Sequence, residues 1–195
     1  VDKNEKLPAL PSVLSGLTII QTVYKNRNDA KLIGIYRKTS YPSGPDPDQI
    51  VLTWAKDPKT SQTIQWRTDK TVNKSQLKWI KKNDFNQFNP GTPKIIDAVT
   101  NEMLNTNYVN DPKIHRHTVN LTGLEPNTTY LYSVGLDSAN SWSELSEFKT
   151  APNKTEPFSF VYMGDAQNGL DRWRSMITGA FRKRPNAAFY IMAGD

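Results

Sequence analysis

Between Asp48 and about Thr150 the chain keeps a period of two, and this constrains the fold more than any other feature. Ile50, Leu52 and Trp54 alternate with Val51, Thr53 and Ala55, and Asp57-Pro58-Lys59 then makes a turn. Thr63 to Thr68 forms the next strand, followed by Leu77 to Ile80, Ile95 to Met103, His115 to Leu121, Thr129 to Leu136 and Ser143 to Thr150. Side chains on a strand point alternately to opposite faces, so short alternating runs between turn signals predict an antiparallel β-sandwich. Trp54, Trp66, Tyr130 and Tyr132 supply bulky groups to pack inside it or along its edges.

The flanks read differently. Residues 1–47 form an N-terminal arm with two apolar stretches, Leu17 to Val23 and Leu32 to Tyr36, which can pair as strands. Three prolines and a glycine in Ser40 to Pro47 then argue against any regular element. The sandwich occupies 48–151, and the polar, proline-flanked stretch 152–157 is a linker. From 158 to 195 the pattern becomes strand, helix, strand. Phe158 to Met163 and Ala187 to Ala193 are apolar runs, and between them Leu170, Trp173, Met176, Ile177, Ala180 and Phe181 recur at helical spacing. Asn168 stands where a helix N-cap belongs, and Pro185 follows the basic end. Such a run predicts a parallel βαβ unit.

Composition narrows the function. Hydrophobic residues make up 36% of the chain and the mean hydropathy is −0.64, values of a soluble globular protein. No apolar run approaches the roughly 20 residues of a membrane span. Val1 leads straight into Asp2, Lys3, Asn4 and Glu5, so no signal peptide is read there. The chain has no cysteine, which excludes disulfides, thiolate metal sites and cysteine nucleophiles within it. Net charge is +6 and the pI about 9.4, but the basic residues are scattered among acids, which argues against a nucleic-acid interface. A mildly positive field does favour anionic substrates such as phosphate esters. Asn-x-Ser/Thr triplets at Asn73, Asn120, Asn127 and Asn153 read as chance occurrences in exposed turns.

The chemistry-bearing pattern is a repeat. Met163-Gly164-Asp165 and Ala193-Gly194-Asp195 close the two strands of the βαβ unit alike. A right-handed crossover sets both aspartates at the carboxyl edge of parallel strands, where open α/β sheets bind ligands. Two carboxylates there repel unless a proton or cation neutralises them, so the pair suits a hard metal ion. A Gly-Asp that merely starts a turn or caps a helix is the other reading. His115 and His117 share one strand face, yet their place inside the sandwich favours packing over a metal pair. Trp79, Phe85 and Trp142 likewise read as packing residues before a sugar-binding patch.

The run Leu121-Thr122-Gly123-Leu124-Glu125-Pro126-Asn127-Thr128-Thr129-Tyr130-Leu131-Tyr132-Ser133-Val134-Gly135 resembles the strand-turn-strand signature of purple acid phosphatase N-terminal domains. Gln49 to Trp54 and Thr63 to Thr68 resemble their opening strands, and Trp142-Ser143 with Glu147 to Pro152 resembles their exit. The resemblance covers Asp48 to Asp195. It implies a fibronectin type III-like sandwich, then the first βαβ unit of a calcineurin-like metallophosphoesterase domain at 158–195. It further implies that Asp165 is a terminal ligand of a first metal and Asp195 the carboxylate bridging two. The ions would be iron with zinc, manganese or a second iron, and would present a hydroxide to a phosphate monoester. The family usually has glycine at the position of Gln167, and the wider superfamily a ligand histidine. Gln167 could ligate through oxygen, hold a water or bond the loop backbone; with Asn168 it is better placed just outside the metal ligands. Remaining ligands would come from later strands, so 158–195 reads as a truncated catalytic domain, and residues 1–195 alone as inactive. The resemblance also implies a secreted or periplasmic protein and leaves homodimerisation open. The alternative is a non-catalytic fibronectin-like module that binds carbohydrate or a protein partner, or dimerises.

Overall fold

The computed structural model describes residues 18–23, 26–35, 43–88, 90–106, 111–136, 141–164 and 170–193. The chain divides into two compact units, Val1–Asn153 and Lys154–Asp195. In the first, β1 (Thr18–Val23) and β2 (Asn26–Ile35) pair antiparallel as a separate two-stranded sheet, with register shifts along the ladder.

The sandwich follows. Its strands are β3 (Asp48–Thr53), β4 (Ser61–Asp69), β5 (Gln76–Lys81), β6 (Lys94–Asp97), β7 (Val99–Leu104), β8 (Lys113–Thr122), β9 (Thr129–Leu136), β10 (Ser141–Trp142) and β11 (Ser146–Lys149). One sheet runs β3-β4-β8-β7; the other runs β10-β9-β5-β6, with β11 also on β9. All these pairs are antiparallel. Alternation in β4 and β8 turns Ile64, Trp66 and Thr68 inward against Val119, His117 and His115. From the other sheet Leu77, Tyr130, Tyr132, Val134 and Phe148 complete the core. Such burial is the main favourable term in folding.

Two expected strands are divided. Ile95 to Met103 breaks at Ala98: β6 joins β5 in one sheet and β7 joins β8 in the other. The Ala98 N–H donates to the Ser75 carbonyl at 2.9 Å and fixes the crossing. A single straight strand could have closed only one sheet. Ser143 to Thr150 is likewise not continuous. The Ser143 N–H donates to the Val134 carbonyl (2.8 Å), but the Val134 N–H donates to the Ser143 hydroxyl (3.1 Å). A side chain replaces a ladder carbonyl there, and exposed Glu144 and Leu145 bulge out before β11 resumes. Trp54 lies beyond the end of β3 and is 45% exposed, so it does not fill the core.

The turn between β8 and β9 explains the strand-turn-strand motif. Gly123 and Asn127 take positive φ of 70° and 52°, which suits a glycine and an asparagine. The Glu125 N–H donates to the Tyr130 hydroxyl at 2.8 Å, a tyrosine corner of the kind found in immunoglobulin-like sandwiches. The Thr150 hydroxyl donates to the Glu125 carbonyl (2.6 Å) and accepts from the Thr128 N–H (2.9 Å), tying the turn to the domain's exit.

In the second unit β12 (Val161–Gly164) and β13 (Tyr190–Ala193) pair in parallel, with α1 (Leu170–Lys183) between them in sequence. The strands are shorter than the runs Phe158 to Met163 and Ala187 to Ala193 that announced them. Of the helix stripe, Trp173, Ile177 and Ala180 are half-buried, whereas Met176 and Phe181 are exposed. A two-stranded sheet offers too little surface to cover such a stripe. Among the described residues, no helix is long and apolar enough to cross a membrane.

Candidate functional site

Parallel pairing sets Val161 beside Tyr190, Met163 beside Met192 and Gly164 beside Ala193. Both strands therefore finish together, β12 one residue ahead of Asp165 and β13 two residues ahead of Asp195. The approach is close: a Cβ on Gly164 would lie 2.3 Å from the Ala193 carbonyl oxygen. At the other end the Val161 N–H donates to the Phe189 carbonyl (3.1 Å) and the Ala188 N–H to the Ser159 carbonyl (2.8 Å). The Phe160 and Phe189 rings stack at 5.2 Å. Asp165, Gln167, Asn168 and Asp195 lie outside the described residues. Among the described residues, no group of three His, Cys, Asp or Glu side chains could hold a metal ion.

The sandwich preceding this edge carries the decisive comparison. A family model for the purple acid phosphatase N-terminal domain matches residues 47–150. The chain belongs to the purple acid phosphatase N-terminal domain family. Among solved structures, a purple acid phosphatase from yellow lupin seeds is similar at 19% identity and a TM-score of 0.48, over 91% of this chain. The chain spans 39% of the length of that lupin protein. The fibronectin type III domain of human contactin 1 is similar at 14% identity and TM-score 0.36, over 57% of this chain and 81% of its own. A fibronectin domain of Drosophila Lar gives 19% and 0.37, over 57% and 99%. No curated protein matches in sequence.

Within this purple acid phosphatase N-terminal domain the two histidines are structural. His117 is fully buried and stacks on Trp66 at 5.6 Å. Its Nε2 lies 2.8 Å from the Thr68 hydroxyl and its Nδ1 2.9 Å from the Thr100 hydroxyl. Thr68 donates its one hydroxyl hydrogen to the Asp69 carbonyl (3.1 Å). It must then accept from His117 Nε2–H, which leaves Nδ1 to accept from Thr100. Both ring nitrogens are thus engaged by protein. His115 uses its Nδ1–H on the Val72 carbonyl at 2.8 Å. Burial, and secondarily the neighbouring His115, push the His117 pKa down to about 4.

Trp79 and Trp142 do not form one patch. Trp79 packs against the core and meets Tyr130 edge-on at 5.5 Å. Trp142 carries the ammonium of Lys78 over its ring at 3.7 Å. Lys78 and Trp79 are successive on β5 and point to opposite faces, so the two indoles lie on opposite sides of the sheet. Lys81 and Lys82 pair with Glu125 and Glu147.

Sequence reasoning passed over the buried hydroxyls. Ser75 accepts from Trp66 Nε1 (3.0 Å) and donates to the Gly135 carbonyl (3.0 Å); buried Thr68 and Thr150 and half-buried Thr100 and Ser143 do similar work. For Thr68 a signal existed: it sits at an inward register position two residues from Trp66.

Proposed function

We propose that this chain is the N-terminal part of a dinuclear-metal phosphatase that hydrolyses phosphate monoesters, and that residues 158–195 open its catalytic domain. The family membership of residues 47–150 supports the reading. The observation that carries it is the in-register closing of β12 and β13 at Gly164 and Ala193, immediately ahead of Asp165 and of Gly194-Asp195. The missing Cβ at Gly164 fits a metal edge, because it lets the two strand ends approach closely enough for carboxylates beyond them to share ions.

In this reading Asp165 would hold the first metal and Asp195 would serve both, the ions being iron with zinc, manganese or a second iron. Bound there, the ions would supply Lewis-acid charge to a phosphoryl group and acidify a water. Gln167 and Asn168 would orient groups around the ligands through neutral amides. The large apolar side chains exposed on 158–192, among them Phe158, Tyr162, Met176 and Ile191, are the surface that further catalytic-domain elements would cover.

The test uses the full-length protein. Asp195→Asn should abolish turnover of a chromogenic phosphate monoester and reduce bound metal. Asp165→Ala should weaken the first metal more than the second. Unchanged metal content and turnover in both variants would refute the assignment.

A further inference from the structure

The sandwich has four lateral edges, and three of them are protected against pairing with another strand. Edge β3 is broken by a register shift between Asp48 and Val51, with Gln49 at a positive φ of 47°. Edge β6 is four residues long and bounded by Lys94 and Asp97. The opposite edge of that sheet is interrupted between β10 and β11 by the Ser143 bulge. Bulges, shortness and charge are how sheet edges avoid association.

Of these devices edge β7 carries only one charge, Glu102, and the Lys113 ammonium of β8 pairs with it at 3.0 Å. The strand is six residues long, contains no proline or lysine, and pairs with β8 without a register shift. Among the described residues no strand pairs with its other side. Its apolar side chains face water: Val99 is 65% exposed, Met103 47% and Leu104 64%.

We propose that β7 pairs antiparallel with β7 of a second copy of this chain, about a two-fold axis at Asn101, joining the two β3-β4-β8-β7 sheets. Continuity of the sheet faces demands that paired residues share a face, so only registers centred on a residue are allowed. Centring on Asn101 sets Val99 against Met103 of the partner copy on both sides of the axis. It places amide against amide at Asn101, Thr100 against Glu102, and Ala98 against Leu104. Apolar groups meet apolar groups, and no like charges stand opposite. Centring on Glu102 opposes two carboxylates, and centring on Thr100 sets Val99 against Asn101. Directly opposed pairs govern sheet association, so the chain's own sequence selects the Asn101 register.

The inference is independent of the phosphatase reading and is tested on the full chain by sedimentation velocity over a concentration series. We expect a reversible dimer. Met103→Lys should weaken association at least about tenfold, because an unpaired ammonium would face Val99, without moving the thermal melt. The chain has no cysteine, so single cysteines report position cleanly. Asn101→Cys should oxidise to a covalent dimer much faster than Val51→Cys, which is exposed on the opposite edge of the same sheet. A chain that stays monomeric overturns the proposal, as would an edge capped by another segment or partner. So does a dimer that survives Met103→Lys and crosslinks equally through both cysteines, since association would then run through another surface, such as the apolar strands of 158–193.

Discussion

The Cβ that Gly164 lacks would stand 2.3 Å from the carbonyl oxygen of Ala193, a distance no real Cβ contact tolerates. The obstacle is backbone, which cannot swing aside as a side chain can. The glycine before Asp165 is therefore required by the neighbouring strand, whatever Asp165 itself binds.

Gly164→Ala should accordingly separate the ends of β12 and β13. We expect a loss of about 2 kcal/mol from overpacking, together with lowered metal content in the full-length protein. Thermal melts and metal analysis of the purified variant measure both. A variant with wild-type melt and metal would show that the strand ends do not need this approach.

His117 makes the sandwich sensitive to acid. Its folded pKa, about 4, lies below the ordinary 6.5. Above pH 6.5 both folded and unfolded forms are neutral and the contribution is complete. As pH falls from 6.5 toward 4 the unfolded chain takes up the proton first, and stability is lost across that window. The full shift corresponds to about 3 kcal/mol. Urea midpoints between pH 7 and 4 should fall steeply for the wild type and more gently for His117→Gln. Parallel slopes for the two proteins would remove His117 as the cause.

Tyr130→Phe keeps the ring in the core but removes the acceptor of the Glu125 N–H. The cost should be about 1 kcal/mol, the usual worth of one such bond. Urea unfolding should show a lower midpoint with an unchanged slope. An unaltered midpoint would mean that water replaces the hydroxyl without penalty.

Gln167 separates two roles of a neutral amide beside the proposed metals. If it positions water, Gln167→Ala in the full-length protein should lower turnover roughly tenfold and leave most metal bound. Gln167→His should keep or tighten metal binding, because it introduces a nitrogen ligand. Large metal loss in Gln167→Ala would make the glutamine a direct ligand. Metal stoichiometry measured beside kcat distinguishes the two.

The sequence by itself determined the period-two run, and with it the sandwich. Alternation in Ile64-Gln65-Trp66-Arg67-Thr68 leaves one face apolar, and only a second sheet can bury it. It also marked the polar stretch 152–157, the change to a strand-helix-strand pattern, and the two Gly-Asp endings, since these are local composition. The parallel pairing those endings require is present up to Gly164 and Ala193, while the aspartates themselves lie outside the described residues. Tertiary structure alone decided where strands change partners. Ile95 to Met103 looks like one strand because strand propensity is local, but the break at Ala98 serves two sheets whose positions are set by residues far along the chain. For His117 the place on a sandwich strand already favoured packing over metal; the structure adds its partners, Thr68 and Thr100, which β4 and β7 bring to its two ring nitrogens.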